Sequence, residues 1–317
     1  MTLTGRLDAR WGRAYFAVQA VAGTGWWLGV AVQPGIRRLT LGDLPAGVVA
    51  AFDVPLFVIA SALAALGIRF AAETATAWTV LVAAGMALYA TATTLAGWGA
   101  VLMIAAAVAS TGALLLVRLG RMPSEWLLIG PFAVREAAPA SARRHLLRTA
   151  AQIFVFWGVC LVVIPWVIAI TEDRWGLRLP HPPGAALAGG TLLVAASALG
   201  LWAAVTMAGR GDGTPLPIAT ARRLVVTGPY RLVRNPMAVA GISQGVAVGL
   251  LSGSWLVVVY ALCGSLVWND LIRPWEEKDL LRRFGASYEA YRRRVSCWIP
   301  RRPRRRASGP AREPLVY

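Results

Sequence analysis

Eight apolar stretches, at 14–32, 46–68, 75–96, 98–117, 150–170, 184–208, 237–251 and 255–272, constrain this chain more than any single motif does. Most reach or approach the roughly 20 residues that a helix needs to cross the hydrocarbon core of a bilayer. With 57% hydrophobic and only 15% charged residues among 317, the chain is not that of a soluble domain. The expected fold is all-α: a polytopic helical membrane protein with about eight transmembrane helices. The first stretch does not read as a cleavable signal, because no small-residue cleavage site precedes a polar region and further spans follow at once.

The formal charge of +17, carried by thirty-one arginines and Lys278, invites a nucleic-acid reading that its placement removes. If eight spans alternate from a cytoplasmic N-terminus, only Arg37, Arg38, Arg174 and Arg178 fall outside, and the other 28 cations fall on the cytoplasmic side. The positive-inside rule predicts such an asymmetry. The expectation is therefore an integral protein of a bacterial plasma membrane with both termini cytoplasmic and no nucleic-acid partner. Cys160, Cys263 and Cys297 show no paired spacing, and His145 and His181 lie in loops on opposite sides, so no metal site is expected.

Residues 1–149 read as an N-terminal module of four spans and a basic loop. Asp53, beside Pro55 in the second span, is the one carboxylate inside it. An intramembrane carboxylate is a functional candidate, and its alternative is a helix-end cap or a pairing with Arg69. The loop from 118 ends in a short basic segment, 140–150, where Arg143, Arg144 and Arg148 share a face suited to anionic lipid headgroups. Residues 150–300 form the core, with Pro165 a possible kink, and 301–317 a basic tail expected to be disordered.

Within the core, a loop rich in Gly, Pro and Arg precedes the last apolar hairpin, and charged residues follow it. Because a hairpin returns to the surface it left, Arg234 and Asn235 should meet Arg273, Glu276 and Glu277. Such a cluster reads as a site, or as interfacial arginines beside counterions; spacing alone assigns no roles. Gly228 permits a tight turn, while Pro229 and Pro236 withdraw two N–H groups and should leave nearby carbonyls free for a ligand. Leu280, Phe284, Tyr288 and Tyr291 repeat at helical spacing, with Phe284 expected to face the core.

The order of these pieces resembles the C-terminal core of the isoprenylcysteine carboxyl methyltransferase and phospholipid methyltransferase group of integral membrane enzymes. That group carries G-P-Y-x-x-x-R-[HN]-P, a helical hairpin, a Glu pair, and F-G-x-x-Y-x-x-Y-x-x-x-V ending near I-P. Here these stand as Gly228, Pro229, Tyr230, Arg234, Asn235 and Pro236, then Glu276 and Glu277, then Phe284, Gly285, Tyr288, Tyr291, Val295, Ile299 and Pro300. The match covers about 222–300. Departures are Asn235 where many members have His, Ala238 where an aromatic Tyr is usual, and Ser296 in place of Pro.

The resemblance implies an S-adenosylmethionine-dependent methyltransferase acting on a membrane lipid or lipophilic small molecule. It implies a cofactor site at Gly228, Pro229, Tyr230, Arg234, Asn235, Pro236, Glu277, Tyr288 and Tyr291. Arg273, Glu276 and Glu277 are the candidates for chemistry: a Glu to balance the cofactor's positive charge or receive a proton, Arg273 to steer a carboxylate acceptor. The preferred reaction is O-methylation of a carboxylate or hydroxyl; phospholipid N-methylation is the alternative. A sterol-reductase-like NADPH enzyme and a non-enzymatic membrane protein are the competing classes.

Overall fold

The computed structural model describes residues 7–127, 142–211 and 221–300, and every regular element among them is helical. The chain runs through α1 (Ala9–Val32), a short α2 (Pro34–Leu41), α3 (Ala46–Ala65), α4 (Arg69–Thr93) and α5 (Gly97–Leu119). Then come α6 (Ala142–Trp157), α7 (Ile164–Arg174), α8 (Ala185–Arg210), α9 (Pro236–Ser252), α10 (Trp255–Val267) and α11 (Arg273–Arg294).

Six helical runs are long and apolar enough to cross a membrane: α1, α3, α4, α5, α8 and the continuous run Trp255–Arg294. The expected number was eight. The two remaining stretches are helical too, but α9 has only 17 residues, and the stretch at 150–170 is divided between α6 and α7. Between those two helices lies a π-helical segment, Gly158–Val163, directly before Pro165. Two further π-helical segments, Val54–Ile59 and Trp268–Ile272, lie at Pro55 and just before Pro274. A proline ring donates no hydrogen bond and crowds the carbonyl four residues earlier, and a wider turn relieves both conflicts without ending the helix. The expected kink at Pro165 is thus a local widening.

The basic segment before residue 150 is not a separate surface helix. It forms the first turns of α6, with Arg143, Arg144 and Arg148 exposed, so the division expected at 149 falls inside a helix. The tail at 301–317 and residues 128–141 lie outside the described residues.

Small residues let the helices approach closely, as packing in lipid favours. A Cβ on Gly12 would lie 2.6 Å from the Ala113 carbonyl oxygen, and one on Gly245 would lie 2.8 Å from the Ala261 Cβ. Asp53 is buried, and neither Arg69 nor a helix end holds it. The indole N–H groups of Trp27 and Trp78 donate to its two carboxylate oxygens at 2.9 and 2.8 Å, joining α1, α3 and α4. A second buried set on α1, α3 and α5 joins Gln19 to Ser61 at 3.0 Å and to Ser110 at 2.8 Å. The N-terminal and C-terminal parts touch at both ends of the bundle. Trp175 donates to Thr91 Oγ1 at 3.0 Å at one end, and Trp275 donates to Ser124 Oγ at 3.1 Å at the other. The turn between α9 and α10 is anchored by the Ser254 hydroxyl, which donates to the buried Glu172 carboxylate and accepts from Val257 N.

Candidate active site

The loop before α9 folds against α11 and against the strap that follows it. Gly228 has φ +58, and a Cβ there would meet the Thr206 hydroxyl at 2.8 Å, so both its conformation and its contact with α8 require glycine. It opens a single 3-10 turn, Gly228–Arg231, that buries Pro229 and Tyr230. Pro236 then begins α9, the helical position that tolerates a missing N–H. The strap closes from the other side: Arg234 N donates to Ser296 O at 2.9 Å, Asn235 N to Cys297 O at 3.4 Å, and Trp298 Nε1 to Asn269 Oδ1 at 2.8 Å.

These contacts assemble the expected cluster. Arg234 Nη2 lies 3.1 Å from Glu277 Oε1, and Arg273 Nη1 lies 3.2 Å from the same oxygen. Arg273 also donates to Asn269 O at 3.3 Å and points Nη1 at Cys297 Sγ, 3.6 Å away. It therefore braces Glu277 at the oxygen that Arg234 also approaches. Asn235 turns its amide to Cys297 Sγ at 3.3 Å. The carbonyls expected to stay open are taken: Tyr230 O accepts from the Tyr291 hydroxyl at 2.6 Å, and Pro229 O accepts from Leu232 N and Val233 N at 3.0 and 3.2 Å.

α11 bends at Gly285, whose φ of 48 and ψ of −125 a side chain would resist. Beyond the bend, Tyr288 and Tyr291 are buried with ring centroids 6.3 Å apart. Phe284 is half-buried rather than a core residue, with the Arg283 guanidinium 5.0 Å above its ring. Burial raises the hydroxyl pKa of Tyr230, Tyr288 and Tyr291, which keeps all three protonated at neutral pH. Glu276 has its carboxyl pushed up to about 7, first by burial and then by the negative charges of Glu277 and Asp279.

Tyr230, Arg234, Asn235, Glu276, Tyr288 and Tyr291 line one cavity of about 90 Å3, room for the polar end of a ligand and not a whole nucleoside. Among the lining residues, Arg234 keeps Nε and Nη1 buried and without a hydrogen-bond partner. A guanidinium with unpartnered N–H groups suits a carboxylate, and Glu276 offers the complementary charge for an ammonium or sulfonium. The donor set thus fits the α-amino acid end of S-adenosylmethionine. Among the described residues no group of three or more His, Cys, Asp or Glu could hold a metal ion.

A second cavity, of about 220 Å3, lies between α6, α8, α9 and α10 and shares a wall with the first at Met237, Ala238 and Trp268. Its far end lies deeper along the helices, where Leu161 packs on Gly245 and the Tyr260 hydroxyl donates to Cys160 O at 3.2 Å. No charged side chain lines it. Along the chain only Ala238 marks this wall, where an aromatic ring would stand in the gap. Thr149, Gln152 and Trp268 carried no signal, because their neighbours on other helices alone make them part of a cavity.

A family model described as phospholipid methyltransferase matches residues 184–287. The nickel-cobalt-cadmium resistance protein NccN of Alcaligenes xylosoxydans xylosoxydans is 32% identical over 167 residues, which cover 52% of this chain and 71% of that protein. The cobalt-zinc-cadmium resistance protein CzcN of Cupriavidus metallidurans is 31% identical over 149 residues, 45% of this chain and 63% of the relative. No solved structure matches. Loop, hairpin, Glu pair and tyrosine helix meet at one site, and the matched region contains the first three and ends just before Tyr288: the chain belongs to the phospholipid methyltransferase family of integral membrane methyltransferases.

Proposed function

We propose that the protein transfers a methyl group from S-adenosylmethionine to an oxygen atom of a lipid or lipid-like acceptor. The observation that carries this reading is the shared wall: a polar cavity with an unsatisfied guanidinium on one side of Ala238, an uncharged cavity among membrane helices on the other. When bound, the cofactor supplies an activated methyl on a sulfonium. What remains for the protein is to position the acceptor, exclude water and take up a proton.

Arg234 would hold the cofactor carboxylate, and Glu277 with Arg273 behind it fixes that guanidinium in place. Tyr230, Tyr288 and Tyr291 wall the cavity around the amino-acid end of the cofactor, and Gly228, Pro229, Asn235 and Pro236 shape the loop that carries Arg234. Glu276, with its carboxyl near neutrality, receives the hydroxyl proton as the oxygen–carbon bond forms and the sulfur–carbon bond breaks. With Arg273 engaged by Glu277, the group that would orient a carboxylate acceptor is occupied, which favours a hydroxyl over a carboxylate. The site faces the cytoplasm of a bacterial plasma membrane, both termini lie on that side, and the basic loops rest on anionic headgroups. The N-terminal spans α1 and α3–α5 act as a scaffold for this core.

Incubation of the purified protein in lipid with labelled cofactor, followed by lipid extraction, tests the reaction. Label in an ether or ester is expected; label in an amine headgroup would replace this reading with phospholipid N-methylation. A second role rests on the two relatives: methylation of an envelope lipid as part of metal resistance. Expression in a cobalt- and cadmium-sensitive host should then raise tolerance only when Arg234 is intact.

A further inference from the structure

Three residues that line the uncharged cavity each keep a buried polar atom with no hydrogen-bond partner among the described residues: Thr149 Oγ1, Gln152 Oε1 and Trp268 Nε1. Thr149 is only 3% exposed. A buried polar group left unpaired costs about 1–3 kcal/mol, so three around one space point to a ligand that satisfies them. All three stand at the end of the cavity nearest the shared wall. Trp268 forms part of that wall, and Thr149 and Gln152 lie on α6 before Trp157, Cys160 and Leu161, which line the deeper part.

The chemistry of the set is specific. Trp268 can only donate, Gln152 Oε1 can only accept, and the Thr149 hydroxyl can do either. We propose that Thr149, Gln152 and Trp268 recognise the acceptor and select a neutral head that both donates and accepts hydrogen bonds, an alcohol at the end of an apolar chain. This rests on the methyltransferase reading for the direction in which the head faces. A carboxylate accepts only, so it would face the Gln152 oxygen unpaired and bring a charge into a space without a counterion. An ammonium donates only and fails against Trp268 in the same way. An ether cannot donate to Gln152, so methylation would itself weaken the hold on the product. The deeper end, at Leu161, Gly245 and Ala261, takes the apolar chain, and the cavity exceeds the roughly 150 Å3 of an apolar cavity that holds benzene.

The test uses the full chain in lipid nanodiscs, with dodecan-1-ol, ionised dodecanoate, dodecylammonium and dodecyl methyl ether as probes. Apparent affinity is read from the rise in thermal midpoint against the mole fraction of probe in the bilayer. Dodecanol should bind about tenfold or more tightly than each of the other three, the loss expected for one buried group left unpaired. Equal binding of dodecanoate or of the ether would overturn the proposal, and this comparison needs no variant. In the double variant Thr149→Val, Gln152→Leu, near wild type in volume, dodecanol should lose that preference while S-adenosylhomocysteine binding persists. A double variant that keeps the preference also refutes it. Should wild type bind dodecanol selectively but no S-adenosylhomocysteine, the acceptor assignment stands and the cofactor reading fails, so the two are separable.

Discussion

Arg234 Nη2 lies 3.1 Å from Glu277 Oε1, and this single ion pair leaves the other two nitrogens of the guanidinium buried and without a hydrogen-bond partner. The geometry arises because two distant segments converge: a loop fixed by Gly228, Pro229 and Pro236, and a helix that continues the last hairpin past Pro274. Arg273 approaches the same carboxylate oxygen, so Glu277 holds two cations, and its negative charge offsets the repulsion between them.

Arg234→Gln removes the charge while keeping most of the volume. Affinity for S-adenosylhomocysteine should fall about 10- to 150-fold, the range of a charge-assisted hydrogen bond worth roughly 1.5–3 kcal/mol. Arg234→Lys should not restore it, since an ammonium cannot reproduce the planar fork. Calorimetry measures both, and an affinity within about twofold of wild type would move the site elsewhere.

Glu276 sets a pH dependence whose sign follows from its raised carboxyl. The folded protein binds that proton up to about pH 7, whereas an exposed glutamate releases it near 4.5. Between these values the native state holds more protons than the unfolded state, so stability falls as pH rises from about 4.5 to 7 and is level on either side. Each unit is worth about 1.4 kcal/mol, reduced here because the residue keeps some solvent contact. Glu276→Gln should flatten this slope in thermal unfolding. Methyl transfer should rise with pH through about 7 in the wild type, and the variant should lose both the rise and most of the rate.

Asp53 should behave as a structural group. Asp53→Ala leaves the indole N–H groups of Trp27 and Trp78 unpaired, and polar contacts between membrane helices are worth about 0.6 to 1.7 kcal/mol each. The thermal midpoint should fall by several degrees while turnover per folded molecule stays unchanged. A loss of turnover at full stability would make Asp53 functional.

Topology reporters placed after Arg38 and after Arg178 should both read as non-cytoplasmic. Arg178 pairs with Asp173 at 3.0 Å beside the end of α7 that is remote from the site. A cytoplasmic signal at either position would reverse or break the orientation.

Gly285→Ala should strain α11 by about 1–3 kcal/mol, because φ of +48 with ψ of −125 is a region that glycine alone enters freely. Tyr288 and Tyr291, beyond the bend, would shift with it, and cofactor affinity should drop more than stability does.

The sequence alone determined the helical membrane fold, because apolar runs of spanning length have one economical way to satisfy their backbone in lipid. It also determined that Arg234, Asn235, Glu276 and Glu277 meet, since a hairpin brings its flanks together whatever its packing. It could not give the partners within that cluster: Arg273 stands within about one helical turn of the Glu pair and Arg234 a whole hairpin before it, and only packing brought both to the same oxygen of Glu277. The wide turns at Pro55, Pro165 and Pro274 were equally hidden, since a proline states what the backbone loses and the neighbouring helices decide how it adjusts. Asp53 was visible as a buried charge, but its two tryptophans come from other helices. The uncharged cavity belongs, Ala238 apart, to tertiary structure: Thr149, Gln152 and Trp268 are unremarkable along the chain and come to line one space because the helices around α6, α9 and α10 pack in a way that no local pattern encodes.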